Sequence, residues 1–124
     1  MPMGKRVVLV EDETNIAEAI RFVLSNEGWR VEMLANGDNA VEVIRKAVPD
    51  LVMLDVMLPG RSGFDILHDL RADPALAGLP ILMLTARGQA RDREMAERAG
   101  VSRFMTKPFS NAEMLDAVRD LTGA

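Results

Sequence analysis

Three runs of four consecutive apolar residues constrain the fold of this chain more than any other feature. They lie at 7–10, 51–54 and 81–84, the last within a predicted strand at 79–84 that has Pro80 near its start. A strand that is apolar at every position has no face for water, so each run predicts a strand that is buried on both faces. Such strands occupy the centre of a parallel sheet that helices cover on both sides.

Between these runs, apolar residues recur at helical spacing. Ile16, Ile20 and Leu24 show the pattern in the first segment, and four further segments show it around 40–47, 64–70, 88–99 and 114–121. Two weaker strand patterns lie at 29–34 and 101–105. The loose alternation at 29–34 is typical of a strand near a sheet edge, where we expect Trp29 to lie at the end opposite Asp55.

Five strand–helix pairs in alternation predict an α/β fold with right-handed crossovers. We predict a flavodoxin-like, doubly wound, five-stranded parallel sheet in the order 2-1-3-4-5 with five helices. The third helix should turn Phe64, Leu67 and Leu70 inward. The fourth should pack weakly, since it offers the core little beyond Met95, Ala96 and Ala99.

Composition excludes several classes of function. The 124 residues include 15 basic and 19 acidic side chains, for a net charge of -4, so we expect no direct binding of nucleic acid. The chain has no cysteine, which excludes disulfides and thiolate metal sites. Its apolar runs are far shorter than the ~20 residues that span a bilayer, and the run before Glu11 is too short for a signal peptide. We therefore expect a cytoplasmic protein without membrane contacts.

Polar residues follow four of the predicted strands. Carboxylates come after the first and third strands, a hydroxyl after the fourth and a cation after the fifth: Glu11, Asp12, Asp55, Thr85 and Lys107. The carboxyl ends of parallel strands share one edge of the sheet, so these side chains should converge there. A hard divalent cation, most simply Mg²⁺, would relieve the repulsion among the carboxylates. The alternative is that each acid only caps a helix or a loop.

Four ordered motifs then carry a family resemblance. They are Val-Glu-Asp-Glu at 10–13, Asp-Val-Met-Leu-Pro-Gly at 55–60, Leu-Thr-Ala at 84–86 and Lys-Pro-Phe at 107–109. With these motifs, the chain resembles a bacterial response-regulator receiver domain over about residues 5–121. We therefore expect a single receiver domain spanning 1–124.

The resemblance implies a phosphoacceptor switch. Asp55 would accept a phosphoryl group from a sensor histidine kinase or a histidine phosphotransfer protein, with Thr85 and Lys107 contacting the phosphoryl oxygens. Four residues would hold Mg²⁺: Glu11, Asp12, Asp55 and Met57, the last through its backbone carbonyl. Thr85 and Phe104 would relay the change to the face formed by the fourth helix, fifth strand and fifth helix. The Lys107-Pro108 bond would be cis.

Several residues depart from the family pattern. Glu11 stands where Asp is commoner, so Asp12 is the stronger candidate for direct contact with the metal. Phe104 replaces a frequent Tyr, so the switch would act by packing alone unless this ring is simply a core aromatic. Ser102-Arg103 stands where receivers of the winged-helix transcription-factor class typically carry acidic residues, and Ala117 stands where they place an Arg. We therefore expect a single-domain regulator that is a monomer or a weak, phosphorylation-dependent dimer.

Three alternatives remain open at this point. The chain could be the receiver module of a longer transcription factor or hybrid kinase. It could be a hydrolase of the haloacid dehalogenase-like type, but these enzymes carry an Asp two residues after the nucleophile, where this chain has Met57. It could be a phosphate-independent binding module, although such a module need not keep the acid, Thr and Lys set. We expect no enzyme activity beyond the chain's own phosphorylation and dephosphorylation.

Other noticeable residues carry weaker predictions. The lone His68 is expected to lie at the surface or to pack, and not to bind metal. The helix at 88–99 and its preceding loop contain a basic cluster, which is either a solvated face or part of a docking surface for an acidic partner: Arg87, Arg91, Arg93 and Arg98. Met57 and Arg87 should flank the path of the water that hydrolyses the phosphorylated state.

Overall fold

The computed structural model of the protein describes residues 5–86 and 90–123. The strands are β1 (Arg6–Val10), β2 (Arg30–Leu34), β3 (Leu51–Asp55), β4 (Ile81–Thr85) and β5 (Arg103–Thr106). The helices are α1 (Thr14–Asn26), α2 (Ala40–Ala47), α3 (Gly63–Ala72), α4 (Ala90–Arg98) and α5 (Asn111–Thr122), and a short 3₁₀ helix spans Pro74–Leu76.

The five strands form one parallel sheet in the order β2-β1-β3-β4-β5. This order confirms the predicted flavodoxin-like fold. The register pairs Asp55 with Leu84 and Thr85 with Thr106, so the carboxyl ends of β3, β4 and β5 lie level with one another. The sheet thus brings residues that are far apart in sequence to one edge.

Two apolar layers cover the sheet. One layer packs α2 and α3 against residues such as Val52, Leu54 and Met83, while the other packs α1 and α5 against Leu51, Met53 and their neighbours. Every residue of β3 and β4 is buried, because successive side chains point to opposite faces and both faces carry helices. Strand β2 is at the edge and mostly exposed. These patterns agree with the sequence predictions.

Two predictions of inward-facing residues need correction. In α3 the fully buried apolar residues include Ile66 and Leu67, while Phe64 is only partly buried. In α4 the buried residues are Asp92 and Ala96, and Met95 is exposed. Leu67, Leu70 and Ala96 are buried as predicted, so the errors concern only the margins of each inward face, which a short helix with few apolar residues leaves poorly defined. Residues 87–89 lie outside the described part, so the predicted start of this helix at Gly88 is not addressed.

The loop after β3 is held close to the sheet by glycine. Gly63 N donates a hydrogen bond of 2.9 Å to Val56 O, and a Cβ atom at Gly63 would overlap the carbonyl oxygen of Asp55. Ser62 then caps α3 by accepting a hydrogen bond from Asp65 N. The absence of a side chain at Gly63 therefore lets α3 begin directly beside Asp55.

At the opposite end of the sheet, Trp29 precedes β2 and is buried among residues of α1 and β1. Its position far from Asp55 agrees with the prediction. Among residues 5–86 and 90–123, no helix has the length and apolar character needed to cross a membrane.

Candidate functional site

Asp55 ends β3 and is 3% exposed. One of its carboxylate oxygens, Oδ1, accepts a hydrogen bond of 3.3 Å from the amide of Met57, and Oδ2 accepts one of 3.1 Å from Lys107 Nζ. The local sequence explains this position, because β3 is apolar up to Asp55 and the chain then leaves the sheet. The result is a carboxylate that is fixed in orientation by a backbone amide and a cation.

Glu11 and Asp12 follow β1 next to Asp55. Glu11 is 3% exposed, and its amide donates to Leu34 O of β2 at 3.0 Å, which extends the sheet by one residue. Asp12 is exposed. One carboxylate oxygen from each of Glu11, Asp12 and Asp55 lies within 4.8 Å of the others. The sheet therefore brings these three predicted acids together.

Lys107 approaches the acids from the loop after β5. Its Nζ lies 2.5 Å from Glu11 Oε1, 3.1 Å from Asp55 Oδ2 and 3.6 Å from Glu13 Oε1. Its backbone amide donates to Thr85 O at 2.7 Å, and the bond to Pro108 is cis, as predicted. Glu13 was not among the predicted site residues; its position two residues after Glu11 was the available signal.

The electrostatics of the site follow from burial and from shared charges. Burial raises the pKa of Glu11 to about 7, the Lys107 ammonium opposes this increase, and the neighbouring Asp55 adds to it. Burial also lowers the pKa of Lys107, but the two carboxylates outweigh this effect and hold it above its ordinary value. Lys107 therefore remains protonated, while Glu11 titrates near neutral pH.

The donor set suits a hard divalent cation. Carboxylate oxygens of Glu11, Asp12 and Asp55 converge, and Lys107 contacts Glu11 and Asp55. The buried Glu11 Oε1 has no well-directed hydrogen bond within the described structure despite its close contact with Lys107. An oxygen in that position can serve as a metal ligand without losing a well-directed hydrogen bond. Oxygen donors with no sulfur or imidazole favour Mg²⁺ over softer metals.

Thr85 and Phe104 lie on adjacent strands near the site. Thr85 ends β4 and is fully buried. Phe104 is 9% exposed and packs in the same apolar layer as Met83 and Ala96. The guanidinium of Arg93 in α4 lies 5.5 Å from the centroid of the Phe104 ring and covers it, a distance at which cation–π attraction operates.

Sequence reasoning missed the roles of two α4 residues. Arg93 is eleven residues before Phe104, and no local pattern links them. Asp92 is buried, and its Oδ2 has no hydrogen-bond partner among the described residues. Its spacing of four residues from the buried Ala96 was a usable signal for an inward position. Arg87, predicted to flank the water path, lies outside the described residues.

A groove borders the site between α1 and the loop after β5. It has a volume of about 510 Å³. Apolar side chains dominate its lining, among them Ile16, Ala19 and Phe109, and Lys107 and Glu13 lie at its polar end. An apolar surface therefore adjoins the carboxylate cluster.

Comparison with known proteins agrees with this geometry. Residues 7–119 match the family model described as the response regulator receiver domain. The chain is 42% identical over 115 residues to the "Probable transcriptional regulatory protein TcrX" of Mycobacterium tuberculosis, and the match covers 93% of this chain and 48% of that protein. The chain thus spans about half the length of the curated relatives it matches.

Solved structures share the whole fold. The chemotaxis response regulator CheY4 of Vibrio cholerae superposes with a TM-score of 0.89 at 26% identity, covering 95% of this chain and 98% of that one. The receiver domain of the sensor histidine kinase PA1611 from Pseudomonas aeruginosa PAO1 has a TM-score of 0.89 at 30% identity, covering 98% and 99%. That structure holds a magnesium ion in its active-site cleft. The chain therefore belongs to the response regulator receiver domains of two-component signalling systems.

Proposed function

We propose that this protein is a phosphorylation-dependent switch in which Asp55 accepts a phosphoryl group from a histidine kinase or a histidine phosphotransfer protein. One observation carries the proposal. A buried carboxylate at the sheet edge has a lysine ammonium 3.1 Å from one oxygen and two further carboxylates beside it. This arrangement positions a nucleophile and a cation around one point, which phosphoryl transfer requires.

In the proposed reaction, an Asp55 carboxylate oxygen attacks phosphorus and forms an acyl phosphate while the bond from phosphorus to the donor histidine nitrogen breaks. The transition state is loose and spreads negative charge over the equatorial oxygens. Lys107 can stabilise that charge because its Nζ already lies against Asp55 and remains protonated. Thr85, at the end of the adjacent strand, would hydrogen-bond a phosphoryl oxygen.

Glu11, Asp12 and Asp55 would hold Mg²⁺ through their side chains, and Met57 through its backbone carbonyl. When bound, the ion supplies positive charge that offsets the repulsion between the acids and the incoming phosphoryl group. The fit rests on the three converging oxygens and on the buried Glu11 oxygen that lacks a well-directed hydrogen bond. Asp12 remains exposed, so exchange of water ligands at its side of the site would be unobstructed.

The output would run through Thr85, Phe104 and α4. A phosphoryl group adds about two negative charges and several hydrogen-bond acceptors next to Thr85. If Thr85 moves towards it, the packing beneath Phe104 changes, and with it the contact between Phe104 and Arg93 that helps to hold α4. Helix α4 buries few side chains, so a small change in packing would shift its position.

The groove beside α1 is the surface we assign to the phosphodonor. A donor histidine must come within bonding distance of Asp55, so its protein has to dock on a surface that borders the site. The groove has this position and is largely apolar, which suits a helix with an apolar stripe. Its polar end contains Lys107 and so joins the docking surface to the site.

We further propose that the protein works in the cytoplasm as a monomer or a weak, phosphorylation-dependent dimer. It would catalyse only its own phosphorylation and dephosphorylation. Met57 occupies the position at which haloacid dehalogenase-like phosphatases keep an acid, so repeated turnover on small phosphate esters is not expected. Ala117 stands where receivers of winged-helix transcription factors place an Arg. It is fully buried and uncharged, so it contributes no charge to a dimer interface.

A second candidate is that this chain is the receiver module of a longer transcription factor or hybrid kinase. It is favoured by the similarity to a transcriptional regulatory protein about twice as long and to the receiver domain of a sensor kinase. The genomic sequence on both sides of the 124 codons would decide it. A DNA-binding or kinase domain that adjoins them in the same reading frame supports this candidate. In-frame stop codons directly upstream and downstream exclude it.

The test is incubation with acetyl phosphate and Mg²⁺ followed by intact mass measurement. We expect an adduct of one phosphoryl group on the wild type and on Asp116→Asn, which alters an exposed acid of α5. Asp55→Ala should carry none, and Lys107→Met should form it more slowly. An adduct that persists in Asp55→Ala, or no adduct on the wild type, would refute the phosphoacceptor role.

A further inference from the structure

Arg71, near the end of α3, binds two other parts of the chain. Its Nε donates to Gly100 O at 2.7 Å, and its Nη2 to Ser102 Oγ at 3.2 Å. Its Nη1 lies within hydrogen-bond distance of three carbonyl oxygens in the segment before β4, those of Leu76 (3.3 Å), Ala77 (3.1 Å) and Leu79 (2.7 Å). One side chain therefore joins α3, the segment before β4 and the turn between α4 and β5.

This guanidinium makes no ion pair among the described residues. Arg45 and Arg61, in contrast, each contact a carboxylate, at 2.9 Å and 2.5 Å. Burial lowers the pKa of Arg71, because only carbonyl and hydroxyl dipoles compensate its charge. A planar fork of donors matches several fixed carbonyls at once, whereas an ion pair would need only one partner. Its contacts thus serve to hold backbone segments together.

The turn that Arg71 holds forms the carboxyl-terminal end of α4. Gly100 has φ +91°, and the Arg71 side chain packs against it. Ser102 is fixed from a second side, since its Oγ also accepts a hydrogen bond of 2.9 Å from Ile81 N at the start of β4. This end of α4 is therefore bound to α3 and to the sheet.

Within the described residues 90–98, α4 buries few side chains. Its buried side chains are Asp92 and Ala96, and Asp92 Oδ2 lacks a partner among the described residues. Arg93 rests on the ring of Phe104. An orphaned carboxylate oxygen in a buried position weakens the packing around it. Among the described residues, the turn after α4 is thus bound by more hydrogen bonds to other elements than the helix before it.

We propose that Arg71 is a positioning residue of the switch: it fixes the carboxyl-terminal end of α4 at the Gly100 turn, so that activation moves the amino-terminal end of the helix about that point. This inference rests on the proposed function, because it concerns how α4 responds to occupancy of Asp55. It assigns to Ser102, whose Oγ accepts from both Arg71 and Ile81 N, the role of second anchor for the same turn.

Amide hydrogen exchange, followed by mass spectrometry, tests the proposal in Mg²⁺ with and without beryllofluoride, an analogue of the phosphoryl group. In the wild type, beryllofluoride should change exchange in peptides from 90–94 and leave 99–102 protected. In Arg71→Met, exchange at 99–102 should rise about tenfold before any addition, since hydrogen bonds from a charged donor are lost. Beryllofluoride should then change exchange along all of α4.

Arg45→Met is the matched control. It removes an arginine of α2 that pairs with Asp73 and lies outside the Gly100 turn, and it should leave both patterns as in the wild type. Arg71→Lys keeps the charge but cannot donate to both acceptor segments at once, so its exchange at 99–102 should stay above that of the wild type.

Four results would overturn the proposal. The first two are unchanged exchange at 99–102 in Arg71→Met and wild-type exchange at 99–102 in Arg71→Lys. The third is faster exchange at 99–102 when beryllofluoride is added to the wild type. The fourth is faster exchange at 99–102 in Arg71→Met together with a beryllofluoride response that remains confined to 90–94. The last would make Arg71 a purely structural contact. No response to beryllofluoride anywhere in the wild type would instead refute the proposed function itself, and the switch role of Arg71 with it.

Discussion

Replacement of Glu11 by Gln should flatten the pH dependence of stability in the metal-free protein. Glu11 has an ordinary pKa of 4.5, which burial raises to about 7 in the folded state. Between these values the unfolded chain has lost this proton while the folded protein keeps it, so the free energy of unfolding falls as pH rises. Below pH 4.5 both states are protonated, and the contribution is fully present.

The size of the effect follows from the pKa change. Each pKa unit corresponds to about 1.4 kcal/mol, so the increase from 4.5 to about 7 implies a loss of about 3 kcal/mol of stability by pH 8. A neutral Gln at position 11 keeps a side chain of similar shape and cannot titrate. Every other group titrates in both proteins, so the difference between their profiles isolates Glu11.

The assay is urea unfolding in EDTA at intervals from pH 5 to pH 8, followed by the fluorescence of the buried Trp29. The free energy of unfolding of the wild type relative to Glu11→Gln should decrease by most of this amount across the range. Glu32→Gln, which alters an exposed residue of β2, should follow the wild type. Parallel profiles for the wild type and Glu11→Gln would refute the reasoning, because they would mean that burial does not retain a proton on Glu11.

Magnesium should reverse this dependence. Binding requires an ionised carboxylate, so Mg²⁺ competes with the proton on Glu11. We expect a given concentration of Mg²⁺ to raise the melting temperature more at pH 8 than at pH 5.5, and to do so weakly in Glu11→Gln. An equal increase at both pH values in the wild type would contradict a role for Glu11 in the metal site.

Three further predictions concern residues of the site and its frame. Lys107→Met should destabilise the metal-free protein by up to about 3–5 kcal/mol at pH 8, since it leaves buried carboxylates without their cation. Urea unfolding should show a smaller loss of stability at pH 5.5, where Glu11 is protonated. A loss of stability that does not depend on pH would contradict this prediction. Asp55→Asn should raise the melting temperature in EDTA, because it removes one of three crowded negative charges while retaining an acceptor for the Met57 amide. An unchanged or lower melting temperature would mean that the repulsion between the three carboxylates is weak. Gly63→Ala should lower the free energy of unfolding by more than about 2 kcal/mol, because the added Cβ atom would overlap the carbonyl oxygen of Asp55. An unchanged free energy of unfolding would show that the loop after β3 can move away from this contact.

The core of the sheet was predictable from local pattern. The runs at 51–54 and 81–84 are apolar at every position, and strands of this kind can only be stable when both faces are covered. The alternation of strands and helices then predicted a parallel sheet, and the strand order came partly by analogy with flavodoxin-like folds, with which the weaker apolar character of β2 agreed. The convergence of Asp55 and Lys107 at one sheet edge needed only that topology.

The inward faces of α3 and α4 were less predictable. In α3, Phe64 and Ile66 are both large and apolar, and the choice between them depends on how the helix is rotated against β3 and β4. In α4 the predicted Met95 is exposed and the charged Asp92 is buried. A helix with few apolar residues is placed by the turns at its ends and by neighbours such as Phe104, and its own sequence contains neither.

The sequence alone thus determined which residues meet at the site, because strand ends in a parallel sheet share one edge whatever the side-chain details. Only the tertiary structure decided how those residues affect one another. It placed Glu11 in the interior and left Asp12 exposed, although the two are neighbours in the chain, and burial rather than residue type raises the pKa of Glu11. It also brought Arg71 to Gly100 and Arg93 to Phe104. Such contacts depend on the distance and angle between packed elements, which no local pattern encodes.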